Sequence, residues 1–401
     1  MRTGVLFLTL IVLAGCTAKP AATVSESPSE RRQFESAIGR AILTEVRQEL
    51  GRLKGSSRAG FLKEKHAQFT KGVDVTAVSS GVLLEYRILK YMTASESSIW
   101  QGRGYVDRVA ALTSLDWSLG EHERRLRAEL DRLDQTIAGL AADDPFNDFD
   151  LEQHMAGVRN GADYPEDSHQ GRQAYLDALA GAMMEVQLDW HGFFSRYAAS
   201  DLNLAGSESA VSTFSWQPGS LQISLSETGD LPMFELRSVA AFYGYPGLQS
   251  FAAIDDNPSL TAVIDLPAYT MGWAGYVIDF LSTSEVEETL PHLYFSKLIT
   301  GLGLADLRIN SGTWTLDEAA RYLHRTTPYS VHRIDLMLAR VNHTPGYYLA
   351  AAAGKLKFLE IRNQCPVTGS DCGTELHQQI TELGPLPFPL LEKRLKDLGK
   401  L

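Results

Sequence analysis

Apolar residues return at steps of three and four along most of this chain, a period that restricts it to a fold of helices packed on helices. Phe34, Ile38, Ile42, Val46, Leu50 and Leu53 mark one amphipathic helix. Ser118 with Glu121, and Thr315 with Glu318, have capping-box spacing, in which each side chain bonds the other residue's backbone N–H. The first box opens a helix with Leu126, Leu130, Leu133 and Ile137 on one face. A long helix rich in Ala and Met is predicted from about Gln173 to Tyr197, and helical spacing returns at 331–342, 348–362, 374–383 and 388–397. Asp143 to Asp167 is acidic and turn-rich and reads as a long exposed connection. One segment departs from the period. Ser212–Trp216 and Leu221–Leu225 alternate apolar and polar residues around Gln217-Pro-Gly-Ser220, which predicts a β-hairpin.

The first sixteen residues read as an export address. Arg2 precedes an apolar run from Val5 to Ala14, short of the ~20 residues that span a bilayer. Leu13-Ala14-Gly15-Cys16 resembles the bacterial lipobox, which implies that Cys16 is acylated and becomes the mature N-terminus. Residues 1–15 are therefore expected to be a lipoprotein signal peptide, with a plain secretory signal as the alternative. Residue 17 is Thr rather than Asp, and by resemblance to sorting rules this points to the periplasmic face of the outer membrane. Residues 16–30 lack an apolar period and are expected to be a flexible tether with a reach of roughly 20 Å. Residues 31–401 are expected to form a single mostly helical domain, since no further linker divides them.

Composition bounds the partners. The 401 residues carry 37 Lys+Arg against 49 Asp+Glu, a formal charge of −12, with no basic run, which argues against nucleic acid. With 44% hydrophobic residues and a mean hydropathy of −0.13, neither a disordered chain nor a polytopic membrane protein is expected. Cys365 and Cys372 enclose Pro-Val-Thr-Gly-Ser-Asp and are expected to form a local disulfide in an oxidising periplasm. A metal pair is the alternative, with His377 as the only close third ligand.

Familiar catalytic patterns are missing from the sequence. There is no His-Glu-x-x-His, no Gly-x-Ser-x-Gly, no Ser-x-x-Lys, no phosphate loop and no Gly-x-Gly-x-x-Gly. His122-Glu123 comes nearest to the first, but Leu126 stands four positions on. Glu185 and Asp189 share a helix face and read as a solvated surface.

The C-terminal half resembles a known family. Leu231 to Gln249, Met271-Gly-Trp-Ala-Gly-Tyr276, Pro345 to Arg362 and the final Leu-Gly-Pro-Leu-Pro-Phe-Pro-Leu-Leu-Glu-Lys-Arg are similar, in order, to the bacterial family catalogued as domain of unknown function 885. The match runs over about 212–400. The resemblance implies a mainly α, zincin-like helical metallopeptidase-type fold with a small β-hairpin or sheet beside a central cleft. In active-looking members the first block reads His-Glu-x-x-Pro-Gly-His-His-Leu-Gln. Here Phe242 stands at the His and Tyr243 at the Glu, Gly244 to Gly247 keep the turn, and Leu248 and Gln249 replace the later His pair or mark its deletion. The second block opens Glu-Gly-Trp in the family and Met271-Gly272-Trp273 here. The stretch Asp306-Leu-Arg-Ile-Asn310-Ser-Gly312 replaces the family's Arg by Asp and its Asp by Asn, and its His is absent. A Tyr-Lys pair becomes Ala351-Ala352.

Positions that shape turns and packing match, whereas positions that bind metal or move protons do not. Phe and Leu have no ligand atom, and Met sulfur suits Cu(I) rather than Zn²⁺. The expectation is a catalytically inactive peptidase relative without zinc or another cofactor. It would be held to the membrane through Cys16 and have a binding or scaffold role toward a peptide or envelope protein. Its cleft would be lined by Tyr243, Tyr245, Trp273 and Tyr276, unless these aromatics fill the former metal cavity as core. The alternative is an active hydrolase of the same family drawing on residues such as His292, His324 or Glu360.

Overall fold

The structure is a computed structural model describing residues 27–50, 52–100, 104–142, 149–194, 202–208, 212–252, 266–279, 286–365 and 372–401. The expected signal peptide, Cys16 and most of the expected tether lie outside these residues. The N-terminal helices are α1 (Pro28–Leu50), α2 (Gly55–Gly72), α3 (Ser80–Trp100), α4 (Tyr105–Thr113), α5 (Leu119–Ala141), α6 (Leu151–Gly161) and α7 (His169–Phe194). Strands β1 (Asn203–Ser207), β2 (Phe214–Gln217) and β3 (Ser220–Ser224) follow. The chain then forms α8 (Leu236–Tyr243), α9 (Pro267–Ile278), α10 (Val286–Asn310), α11 (Leu316–Thr326) and α12 (Val331–His343). It ends in α13 (Tyr347–Asn363), α14 (Cys372–Leu383) and α15 (Phe388–Asp397). The fold is thus mainly helical with a small sheet. Among the described residues no helix is long and apolar enough to cross a membrane.

Local sequence explains where these helices begin. Thr315 and Glu318 form the full reciprocal capping box at α11. At α5 only half of the expected box forms: Ser118 accepts from the Glu121 N–H, while the Glu121 carboxylate is taken by Arg124 and Arg125. The first helix begins inside the segment expected to be tether. Ser27 caps α1, bonding the Glu30 N–H while Glu30 returns to the Ser27 N–H at 2.9 Å, with Pro28 beginning the helix. The exposed connection expected over 143–167 contains a helix, α6, because Asp150 caps it and Met155 is fully buried. Phe34 also departs from expectation. It is 60% exposed, and α1 packs through Ile42, Leu43, Val46 and Leu50.

The hairpin forms as predicted, with Gly219 at φ 78°, the left-handed value required late in a tight turn after Pro218. Strand β1 joins it in parallel on the other side of β3, giving the order β1-β3-β2.

Helix α9 divides two apolar clusters and is apolar all round, as a fully buried helix must be. Its Tyr269, Trp273 and Tyr276 face a cluster built by α1–α3, α13, α14 and α15. Its Ala274 and Ile278 face a cluster built by α7, the sheet, α8, α10, α11 and α12. Residues from both ends of the chain therefore share one core. At the crossing of α9 with α13, a Cβ on Gly272 would stand 2.6 Å from Gly354, and one on Gly354 would stand 1.7 Å from the Ala268 carbonyl oxygen. The two backbones touch, which only glycine permits.

Candidate functional site

The four positions where the family resemblance places metal chemistry fall in one apolar cluster around α8 and α10. Phe242 and Leu248 are buried in it, and Tyr243 and Met271 pack against it. Phe242 meets Tyr243 and Phe295 edge to face, with centroids 4.9 and 5.5 Å apart. Tyr243 also packs on Phe214 of the hairpin at 5.4 Å. Burial pushes its phenol well above the ordinary tyrosine range, so it is a neutral hydroxyl at any ordinary pH. Among the described residues no group of three or more His, Cys, Asp or Glu is arranged to hold a metal ion.

The turn after α8 carries a cis bond at Tyr245-Pro246 and is tied to the second block, where the Trp273 indole donates to the Pro246 carbonyl at 2.8 Å. Tyr276 and His377 share a 2.6 Å hydrogen bond. Trp273 and Tyr276 are 0% and 1% exposed. They are core residues rather than walls of an open cleft, because α9 is covered on both sides. Of the four expected cleft residues, Tyr245 borders a surface pocket, beside Met183 and Leu204.

Asp306, where the resemblance places an Arg, has a structural task. It accepts from the backbone N–H of Gly346 (2.9 Å), Tyr348 (3.0 Å) and Leu349 (3.2 Å), and from Tyr105 and Asn310. A distant carboxylate thus caps α13, satisfying amides that a helix start leaves open. Ala351 and Ala352 are buried, and α10 approaches so closely that a Cβ on Gly303 would lie 2.5 Å from that of Ala352.

Two buried ionic groups had no signal in the sequence. Arg333 and Glu235, both 0% exposed, form a charge-assisted pair at 2.5 Å, and Arg333 also donates to the Asp230 carbonyl and stands 4.5 Å over the Tyr329 ring. Their positions are 98 apart in the chain, and no local pattern links them. Fully buried Lys355 bonds Glu129 at 2.9 Å, lies 3.3 Å from Asp279 and donates to Ser296. Burial works to raise Glu129, yet Lys355 and Arg132 hold it down at about 2. Burial likewise pulls Lys355 down, but Asp279 and Glu129 keep it above the ordinary lysine range.

The Lys355 group backs a cavity of about 990 Å³ between α5, α13 and the adjoining ends of α9 and α10. Two residues of the alternative hydrolase reading, His292 and Glu360, line it. His292 shares a 2.7 Å hydrogen bond with Ser238, one turn before Phe242, and burial with Arg237 nearby lowers it to about 4, so it is neutral at pH 7. Glu360 is held by Lys357 and Arg125. His324 lies elsewhere, against Arg159. Glu185 and Asp189 form a surface pair on Arg237. Cys365 is disulfide-bonded, and the side chain of Cys372 falls outside the described residues.

The family described as "Bacterial protein of unknown function (DUF885)" matches residues 13–395. The chain belongs to this family. Among curated proteins none matches. Two solved structures share the fold. One is a Colwellia psychrerythraea protein described as a "putative lipoprotein", 18% identical, with TM-score 0.66 over 93% of this chain and 70% of that one. The other is a Shewanella oneidensis protein described as a "putative lipoprotein of unknown function", 11% identical, with TM-score 0.58 over 92% and 73%. The DUF885 match includes the N-terminal half, which sequence blocks alone left outside the resemblance. Gly272 and Gly354 of this DUF885 chain meet at the α9–α13 contact.

Proposed function

We propose that this chain is a lipid-anchored cell-envelope protein that has kept a peptidase-like frame without metal-dependent hydrolysis, and that it acts by binding. One observation carries the reading: Phe242, Tyr243, Leu248 and Met271 pack into a single apolar cluster. Zinc requires imidazole, thiolate or carboxylate ligands and a base to activate water. Phe and Leu offer neither, the Met thioether is a soft donor, and a buried phenol with a raised pKa is no base. These residues do not fit a zinc ion. The hydrolase alternative keeps one point in its favour, the shared cavity of His292 and Glu360.

The test is metal content and hydrolysis together. The full-length chain, purified without chelator, is expected to carry zinc far below one ion per chain and to leave peptide substrates intact. Stoichiometric zinc with chelator-sensitive cleavage would overturn the proposal.

The anchor is proposed at Cys16, in the Leu-Ala-Gly-Cys lipobox, and the two solved relatives described as lipoproteins support an envelope location. The Cys365 disulfide suits an oxidising compartment, with Cys372 as its proposed partner. Cys16→Ala is expected to move the protein from the membrane to the soluble fraction, or to leave it unprocessed, in a fractionation experiment. Membrane association with normal processing would sink the anchoring proposal.

A further inference from the structure

The cavity between α5 and α13 has a size and lining suited to a small ligand. Its volume, about 990 Å³, lies at the upper end of the ~300–1,000 Å³ usual for small-molecule sites. One wall is a single face of α5, where Arg124, Arg125, Ala128, Glu129 and Arg132 recur at helical spacing. Facing it are Ile278, Leu293, Leu356 and Leu359, all apolar.

The carboxylates in this lining are already engaged. Glu129 is neutralised by Lys355 and by Arg132, Asp279 by Lys355, and Glu360 by Lys357 and Arg125. Glu121 and Glu392 pair from the margins. In the lining itself four guanidiniums, Arg124, Arg125, Arg132 and Arg362, stand beside three carboxylates, Glu129, Asp279 and Glu360, in a chain of net charge −12. The guanidiniums are also held in place. Glu129 grips Arg132 with two bonds of 2.7 Å. Arg125 is fixed by Glu121 and Glu360 and stacks 4.2 Å over Trp117. Guanidiniums fixed in advance lose little entropy when an oxyanion arrives, and their planar fork matches a carboxylate or phosphate.

We propose that this cavity binds a small amphipathic organic anion, with its oxyanion head against Arg124, Arg125 and Arg132 and its apolar body over Leu293, Leu356 and Leu359. The proposal rests on the reading of the chain as a binding protein but not on the loss of metal chemistry. Its test reads ligand binding, whereas the zinc test reads metal and hydrolysis, so either can fail alone.

The test is calorimetric titration of the full-length chain in phosphatidylcholine nanodiscs, with empty nanodiscs as blank. The probes are 4-phenylbutyrate, phenyl phosphate, 4-phenylbutylamine and inorganic phosphate. At least one aromatic oxyanion is expected to bind, and which one does assigns the head as carboxylate or phosphate. The amine, with the same body and opposite charge, is expected not to bind. Arg124→Gln and Leu359→Glu should each weaken the oxyanion by about tenfold or more, equivalent to ~1.4 kcal/mol. Arg321→Gln, the same charge loss on exposed α11, should leave it unchanged. Arg124 is exposed and pairs with Glu121, so its variant reports on binding even if Leu359→Glu does not fold. The proposal is overturned if neither aromatic oxyanion binds, if the amine binds as well as they do, if inorganic phosphate binds as tightly as phenyl phosphate, or if Arg124→Gln has no effect.

Discussion

Gly354→Ala is expected to cost more than about 4 kcal/mol and to leave little folded protein, the range reserved for overpacking that a core cannot relieve. The added methyl would stand 1.7 Å from the Ala268 carbonyl oxygen, in the backbone of the facing helix, and no rotamer change can move that atom. Helices α9 and α13 would have to separate, opening the packing around Tyr269, Trp273 and Phe358. Gly275→Ala, in the same pair of helices, is the control. Its methyl would meet Lys355 Cβ at 3.6 Å, an ordinary contact. That variant is expected to be neutral or to gain up to about 1 kcal/mol, because alanine loses less backbone entropy in a helix. Urea unfolding of the two variants separates these outcomes. Equal effects would show that the α9–α13 contact does not limit the core.

Arg333→Met is expected to lose about 3–5 kcal/mol, the usual result of stranding one charge of a buried pair. Glu235 is fully buried and would lose the partner that opposes its desolvation. A carboxyl raised by burial binds a proton more tightly in the folded than in the unfolded chain. Its stabilising effect is complete below its unfolded value near 4.5 and fades as pH rises through the folded value. The deficit of Arg333→Met should therefore shrink as pH falls from 7 toward 5. Adding Glu235→Leu removes the stranded group, so the double variant should be more stable than Arg333→Met alone. If both are equally unstable, the loss comes from the arginine's packing over Tyr329 and Phe214 instead of from an orphaned charge.

Much of the secondary structure was legible because its causes are local. Helix period, capping hydroxyls and a Pro-Gly turn all act within a few residues. The capping box at Thr315 shows this, and so does Ser27, whose Ser-Pro-Ser-Glu signal is present in the sequence although the segment was expected to be tether. Where local readings failed, a competitor intervened. Glu121 abandons its box for two arginines. The Asp143–Asp167 segment is turn-rich at its ends, yet one cap and one buried Met suffice to fold α6. Strand β1, Asn-Leu-Ala-Gly-Ser, has no alternation of its own and exists because β3 offers a parallel edge.

The candidate site divides in the same way. That Phe242, Leu248 and Met271 carry no hard ligand follows from residue chemistry, and the sequence order of the blocks was enough to find them. Whether their aromatic neighbours line a cleft or fill a core depends on what covers α9, which is settled by helices more than a hundred positions away, through Tyr269 to Ile380 and Tyr276 to His377. The pairing of Arg333 with Glu235, the burial of Lys355 behind Glu129, and the meeting of an arginine face on α5 with an apolar face on α13 have the same origin. A charge is cheap in water and costly in the dark. Which charges are buried, and with whom, is decided only when distant segments pack. The chain's own text was therefore enough for a helical body and for the absence of imidazole, thiolate or carboxylate at Phe242, Tyr243, Leu248 and Met271, while tertiary packing alone decided where the charged cavity lies.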